Sequence, residues 1–150
     1  MRFAALVCAS LIVVTLATAT RAEKARTNLG VLTCTLMTPA KDTSQKMTCG
    51  FKPTGTGAEE KYTGTIRESG KELPTGKVVL IWVVLGPAHG NVRVGILAQR
   101  YAKSTNAFGQ PPTLVGETNP NIVLEFQTND SAVSYDTIAF MELELTGTPA

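Results

Sequence analysis

Beyond residue 30 the chain is written in period two. In residues 31–36, Leu32, Cys34 and Leu36 fall on one side and Val31, Thr33 and Thr35 on the other. In residues 46–52, Met47, Cys49 and Phe51 share a side, opposed by Lys46, Thr48, Gly50 and Lys52. This is the alternation of strands with one face turned to a core. Residues 60–67 continue it, with Tyr62, Gly64 and Ile66 against Lys61, Thr63, Thr65 and Arg67. Residues 78–85, VVLIWVVL, are apolar throughout, which predicts a central strand buried on both faces. Residues 92–101, 113–117, 121–127 and 135–145 supply further strands, with the apolar Ala139, Met141, Leu143 and Leu145 on one face of the last. Clusters of Gly, Pro, Asn, Asp and Ser punctuate these runs, and 103–112, KSTNAFGQPP, is the longest irregular stretch. No amphipathic helix follows the first two dozen residues. The pattern predicts an all-β domain, an antiparallel β-sandwich or small barrel of about eight strands.

One glycine-rich stretch, GFKPTGTGAEEKYTG at 50–64, invites a phosphate-loop reading. A Walker loop needs Lys and Ser/Thr after its second glycine, and here Thr56 and Gly57 stand there. A dinucleotide fingerprint started at Gly55 meets Glu60 in place of its last glycine. Both motifs also need a following helix whose N-terminus faces the anion, whereas residues 60–67 read as a strand. The stretch is a turn between two strands, with Pro53 fixing φ and the glycines admitting positive φ.

The N-terminus changes the picture of compartment. Arg2 precedes an uncharged run from 3 to 20, and small residues allow cleavage after Ala19 or Ala22. That is the layout of a secretory signal peptide over residues 1–22, leaving 23–150 as one β domain. Ser10, Thr15, Thr18 and Thr20 interrupt the run and argue against an anchor, so no stable membrane span is expected in the mature chain. Without Arg2 and Arg21 the chain carries 12 basic and 12 acidic side chains, which offers no footprint for nucleic acid. Cys8 goes with the leader. Cys34 and Cys49 remain, an even pair in an oxidising compartment, and they are read as a disulfide. Metal binding would need more ligands than these and one histidine, and a redox pair would show Cys-x-x-Cys spacing.

The order of motifs resembles a family. GVLTCTL, CGFKP, EKYTGTIRESG, IWVVLGP, GILAQRY, LVGETNPNIVLE and a terminal ELEL follow one another as in the secreted alphaproteobacterial family known as domain of unknown function 992. The matching positions are Cys49, Phe51 and Pro53; Tyr62, Gly64 and Ile66; Trp82; Gly95, Leu97 and Tyr101; and Leu114, Val115 and Gly116. The chain departs from that pattern at KSTNAFGQPPT, where the family is rich in glycine and valine, and at Gly116-Glu117, where it has a double glycine. The resemblance implies a fold and a compartment and no activity.

Candidate chemistry is sparse. His89, the one histidine, sits in a turn and reads as a surface residue. Glu142 and Glu144 project from one face of the last strand, and paired carboxylates can cleave glycosides, but an exposed outer face explains them as well. Glu59, Glu60 and Lys61 read as a solvated strand entrance. Tyr62, Trp82 and Tyr101 are candidate ligand-lining residues, with core packing as the competing reading. Asn129 begins a glycosylation sequon, a match that means nothing if the source is bacterial.

No catalytic or metal-binding residue and no cofactor is assigned. The expected role is that of a secreted or periplasmic, non-catalytic protein whose partner is a small apolar ligand, an envelope component or an envelope protein. A structural or stress-related envelope protein without a ligand is the alternative, and a hydrolase using Glu142 and Glu144 is a third. The denatured mass of the protein purified from its envelope should correspond to a chain starting at Thr20 or Glu23, two hydrogens lighter than the reduced form. An uncleaved or unoxidised mass would contradict this reading.

Overall fold

The computed structural model describes residues 25–36, 44–68, 77–89, 92–104, 113–127 and 138–147. The leader, the linker 37–43, the stretch 105–112 and the sequon at Asn129 lie outside the described residues. Eight strands follow in chain order: β1 (Arg26–Leu36), β2 (Ser44–Pro53), β3 (Glu60–Glu68), β4 (Val78–Pro87), β5 (Arg100–Lys103), β6 (Thr113–Gly116), β7 (Val123–Gln127) and β8 (Ile138–Gly147). All their pairings are antiparallel, and the sheet closes on itself in the order β1-β2-β3-β8-β5-β6-β7-β4. Of the two architectures that the alternation allowed, the chain adopts the barrel.

Closure assigns the two sides of every strand. Leu32, Cys34, Leu36, Met47, Phe51, Tyr62, Ile66, Leu80, Trp82, Tyr101, Leu114, Leu124, Met141 and Leu143 turn inward and form one core. An eight-stranded barrel is just wide enough for side chains to fill. Each large apolar side chain sealed there stabilises the fold by roughly 1.5–3 kcal/mol. Trp82 of β4 packs against Phe126 of β7 with ring centroids 4.8 Å apart. On β2, β3 and β8 the outer side carries Lys46, Lys61, Arg67, Glu142 and Glu144, whereas on β4 it carries Val79, Ile81 and Val83.

Cys34 and Cys49 face each other across β1 and β2, with Cα atoms 4.0 Å apart, and are joined by a disulfide. At the start of β1 a bulge shifts the register with β4 between Asn28 and Gly30. Gly30 adopts φ +151°, and a Cβ there would stand 2.3 Å from the Lys52 carbonyl oxygen. The Asn28 side chain accepts a hydrogen bond from the Gly30 N–H at 2.9 Å. Such bulges bend a strand and so help a sheet to close.

Two readings of the pattern are corrected. The strand β4 is not buried on both faces: Val78, Leu80, Trp82 and Val84 are buried, while Val79 on the outer side is 43% exposed. A closed barrel has one interior, so the second apolar row faces out. Residues 92–101 are not one strand either. Residues 94–97 form turns, closed by Ile96 N–H to Arg93 O at 3.1 Å and Ala98 N–H to Gly95 O at 2.9 Å. Gly95 takes φ +80°, a value that side-chain-bearing residues rarely adopt. Pairing begins only at Arg100, and the segment before it sends a fully buried Leu97 into the core.

Removing the crosslink tests its share of stability. Its partners are 15 residues apart, so the C34A/C49A variant should lose about 3 kcal/mol in the chain-entropy model. Denaturant unfolding would read this as a lower midpoint, and an unchanged midpoint would refute it.

Candidate functional site

Two groups of polar side chains stand out, one inside the barrel and one outside. The inner one begins at the entrance to β3. Glu60 was expected to be solvated, but it is only 3% exposed. It lies on the inward side of β3 with Tyr62, whose hydroxyl donates to its carboxylate. The Gly95 N–H donates to the same oxygen at 3.0 Å. A buried carboxylate is tolerated where donors meet it, and these two tie the turn 94–97 to the wall of the barrel. Nearby, the Tyr101 hydroxyl donates to Leu97 O at 3.1 Å and accepts from Gln99 Nε2 at 3.4 Å. The Gln99 side-chain oxygen accepts from the Asn119 N–H at 2.7 Å.

Tyr62 is thereby held far above the ordinary range of a phenol, first by burial and then by its bond to Glu60 and the nearby negative charge, with the Leu97 backbone acting in the opposite direction. Burial also raises Tyr101, against a smaller lowering by Gln99. Tyr62, Trp82 and Tyr101, the candidate ligand-lining residues, are 1%, 0% and 0% exposed and lie in the core. His89 is exposed beside the end of β4. Among the described residues no three His, Cys, Asp or Glu side chains gather as a metal site.

The outer group depends on strand order. Register aligns Thr35, Thr48, Thr63 and Glu144 in one row across β1, β2, β3 and β8. The next row runs Lys46, Thr65, Glu142 and Arg100 across β2, β3, β8 and β5. Between them lies a cleft of about 730 Å³, lined by Lys46, Thr48, Thr63, Thr65, Glu142 and Glu144 over the backbone of Met47 and Gly64. Among the described residues these six side chains have no hydrogen-bond or ion-pair partner. The cleft continues toward β1 as a hollow of about 460 Å³ reaching Thr33, Thr35, Lys52 and Lys61. At its other margin Arg100 covers the Phe140 ring at 4.5 Å and approaches Glu117 at 3.6 Å. The glutamates were visible in the sequence by parity. Lys46 and the threonines were missed, because only the pairing of β3 with β8 brings them beside the glutamates.

The architecture and the site define a small disulfide-linked closed β-barrel with a filled interior and a polar cleft on its outer wall. The chain belongs to the family described as Protein of unknown function (DUF992), whose sequence model matches residues 12–128. No curated protein and no solved structure matches the chain.

The buried phenols predict an alkaline limit to stability. An unfolded tyrosine ionises near pH 10, while Tyr62 and Tyr101 stay neutral in the folded chain. Above that pH the unfolded chain sheds protons that the folded chain keeps. Their contribution is therefore complete below about pH 10 and is lost as pH rises beyond it. Two of the three tyrosines should ionise only on unfolding in a spectrophotometric titration, and Y62F should flatten the alkaline fall. Y62F should also cost about 1–3 kcal/mol near neutral pH, since it removes a donor from buried Glu60. A freely titrating native Tyr62 would contradict the assignment.

Proposed function

We propose that the protein is a non-catalytic, extracytoplasmic binding protein whose recognition surface is the outer cleft over β2, β3 and β8. One observation carries this reading: among the described residues, six side chains with unused donors and acceptors surround one depression on a barrel whose core is packed with aromatic rings. The disulfide is consistent with an oxidising compartment. The packing of Trp82, Tyr62 and Tyr101 in the core favours a ligand outside the barrel over an apolar guest within it. The partner in this reading is an envelope component or an envelope protein held on the outer wall.

A hydrolase is the second reading, favoured by the cleft that lies over Glu142 and Glu144 on the last strand. Residues two apart on a strand stand about 6.6–6.8 Å apart along its axis, a separation near that of inverting glycosidases. However, a general acid for that chemistry needs a carboxyl in a dry setting, and both glutamates are exposed. Binding is the better account of the pair.

Native mass spectrometry of the protein purified from its own envelope tests the proposal. The wild type should carry an added mass that disappears on denaturation, and T63R, which fills the cleft from an exposed position, should be bare. A bare wild type, or an adduct that T63R retains, would overturn it. Loss of a measurable turnover in E142Q/E144Q would instead establish the hydrolase.

A further inference from the structure

β8 has a strand on each side for only part of its length. β3 follows it to Gly147, whereas β5 pairs with it only from Phe140 to Glu142. One more bond crosses on the β5 side, from the Leu143 N–H to Gln99 O at 3.0 Å. An antiparallel pair would return a bond from Gln99, but the Gln99 N–H turns away to Leu97 O at 2.8 Å. Backbone groups alternate in direction along a strand, so the N–H and C=O of Leu145 point to the same side as those of Leu143. Among the described residues, the Leu143 C=O, the Leu145 N–H and the Leu145 C=O have no hydrogen-bond partner. They border a hollow of about 720 Å³, closed on the side away from β8 by Ala98 and Thr118.

An acceptor, a donor and an acceptor in a row are the pattern that a second extended backbone completes. A residue set opposite Leu145 would exchange two bonds with it, and the residue two further on would donate to the Leu143 C=O. Between them lies a residue opposite Glu144, with its side chain on the same outer face. Glu144 is exposed, while Arg100 is held by Glu117 at 3.6 Å and by the Phe140 ring. The charge left open at the rim is therefore negative. A second copy of this chain fits worse, because pairing β8 with β8 about Leu145 sets two Glu144 carboxylates diagonally on one face. We propose that the gap receives an extended, basic segment of a protein partner as a short added strand, with a lysine or arginine beside Glu144. The inference goes beyond the reading of the cleft: the gap lies on the opposite flank of β8 and shares only Glu142 and Glu144 with it.

The probe is the acetylated, amidated pentapeptide Thr-Ala-Lys-Ala-Thr, followed by amide chemical shifts and hydrogen exchange of the protein. In the free protein the Leu145 N–H should exchange about tenfold or more faster than the Met141 N–H, which β5 covers. The peptide should slow that exchange and shift the amides of Ala98, Gln99 and Leu145. N-methylation of both alanines removes the donors, and glutamate in place of lysine reverses the charge. Each analogue should bind about tenfold or more weakly. A98W blocks the gap from an exposed position and should abolish binding, whereas T48W, which fills the cleft from β2, should leave it intact. No response at Leu145, equal binding of either analogue, undiminished binding by folded A98W, or loss in T48W would overturn the proposal. So would a Leu145 N–H that becomes protected as the protein alone is concentrated, since a second copy would then fill the gap. Failure here leaves the reading of the cleft standing, because that reading is judged by T63R and the native mass.

Discussion

Closure of the sheet is the constraint from which the other features follow. Pairing β4 with β1 and β7, and β8 with β3 and β5, leaves no strand without two neighbours. It also leaves a single interior, whose volume must be filled by the residues that alternation sends inward. Trp82, Tyr62, Tyr101 and Phe51 supply much of that volume, all fully buried. Space given to those rings is space withheld from a guest. A barrel of this size with such an aromatic core leaves little room beside those rings.

The ends of a barrel are harder to seal than its wall, because strand alternation stops there. The segment 92–99 meets this need at one end by turning instead of pairing. Leu97 enters the core, and the turn is tied down by the Gly95 N–H bound to Glu60. Burying a carboxylate for this purpose demands compensation, and Tyr62 provides the second donor. The same arrangement keeps the phenol neutral. The inner polar cluster is thus accounted for by sealing and needs no ligand.

Strand existence was legible because it is local. Parity along β1, β2, β3 and β8 placed the cysteines and the two glutamates on their correct sides. The same parity would have placed Glu60 with Tyr62 on the inner side, but its charged neighbours Glu59 and Lys61 suggested solvent instead. The fully apolar β4 suggested two buried faces, a property of sheets covered on both sides and not of a barrel. Residues 92–101 misled for another reason: Val92, Ile96 and Leu97 pack a turn against the core while Val94 is exposed, and Gly95 takes positive φ there. Which strands become neighbours is set by volume and closure across distant segments. The rows of the outer cleft, which exist only through the β3–β8 pairing, had no local trace.

Threonine on a strand is ordinarily explained by β-branching, which suits a pleated backbone whatever lies beyond it. The barrel contains its own comparison. On the outer side of β4, Val79, Ile81 and Val83 face outward as Thr48, Thr63 and Thr65 do on β2 and β3, and Val79 shares the row of Thr35, Thr48 and Thr63. The two sets share β-branching and differ chiefly in a hydroxyl replacing a methyl or ethyl group. The fold is therefore satisfied by either, and on β2 and β3 the hydroxyl is free of any structural duty among the described residues. Solubility favours hydroxyls somewhere on the surface, but it does not require that they be concentrated on adjacent strands and bordered by Lys46, Glu142 and Glu144. A surface of this kind could hold a polar partner only through several contacts at once, since each hydrogen bond exchanged with water is worth little by itself.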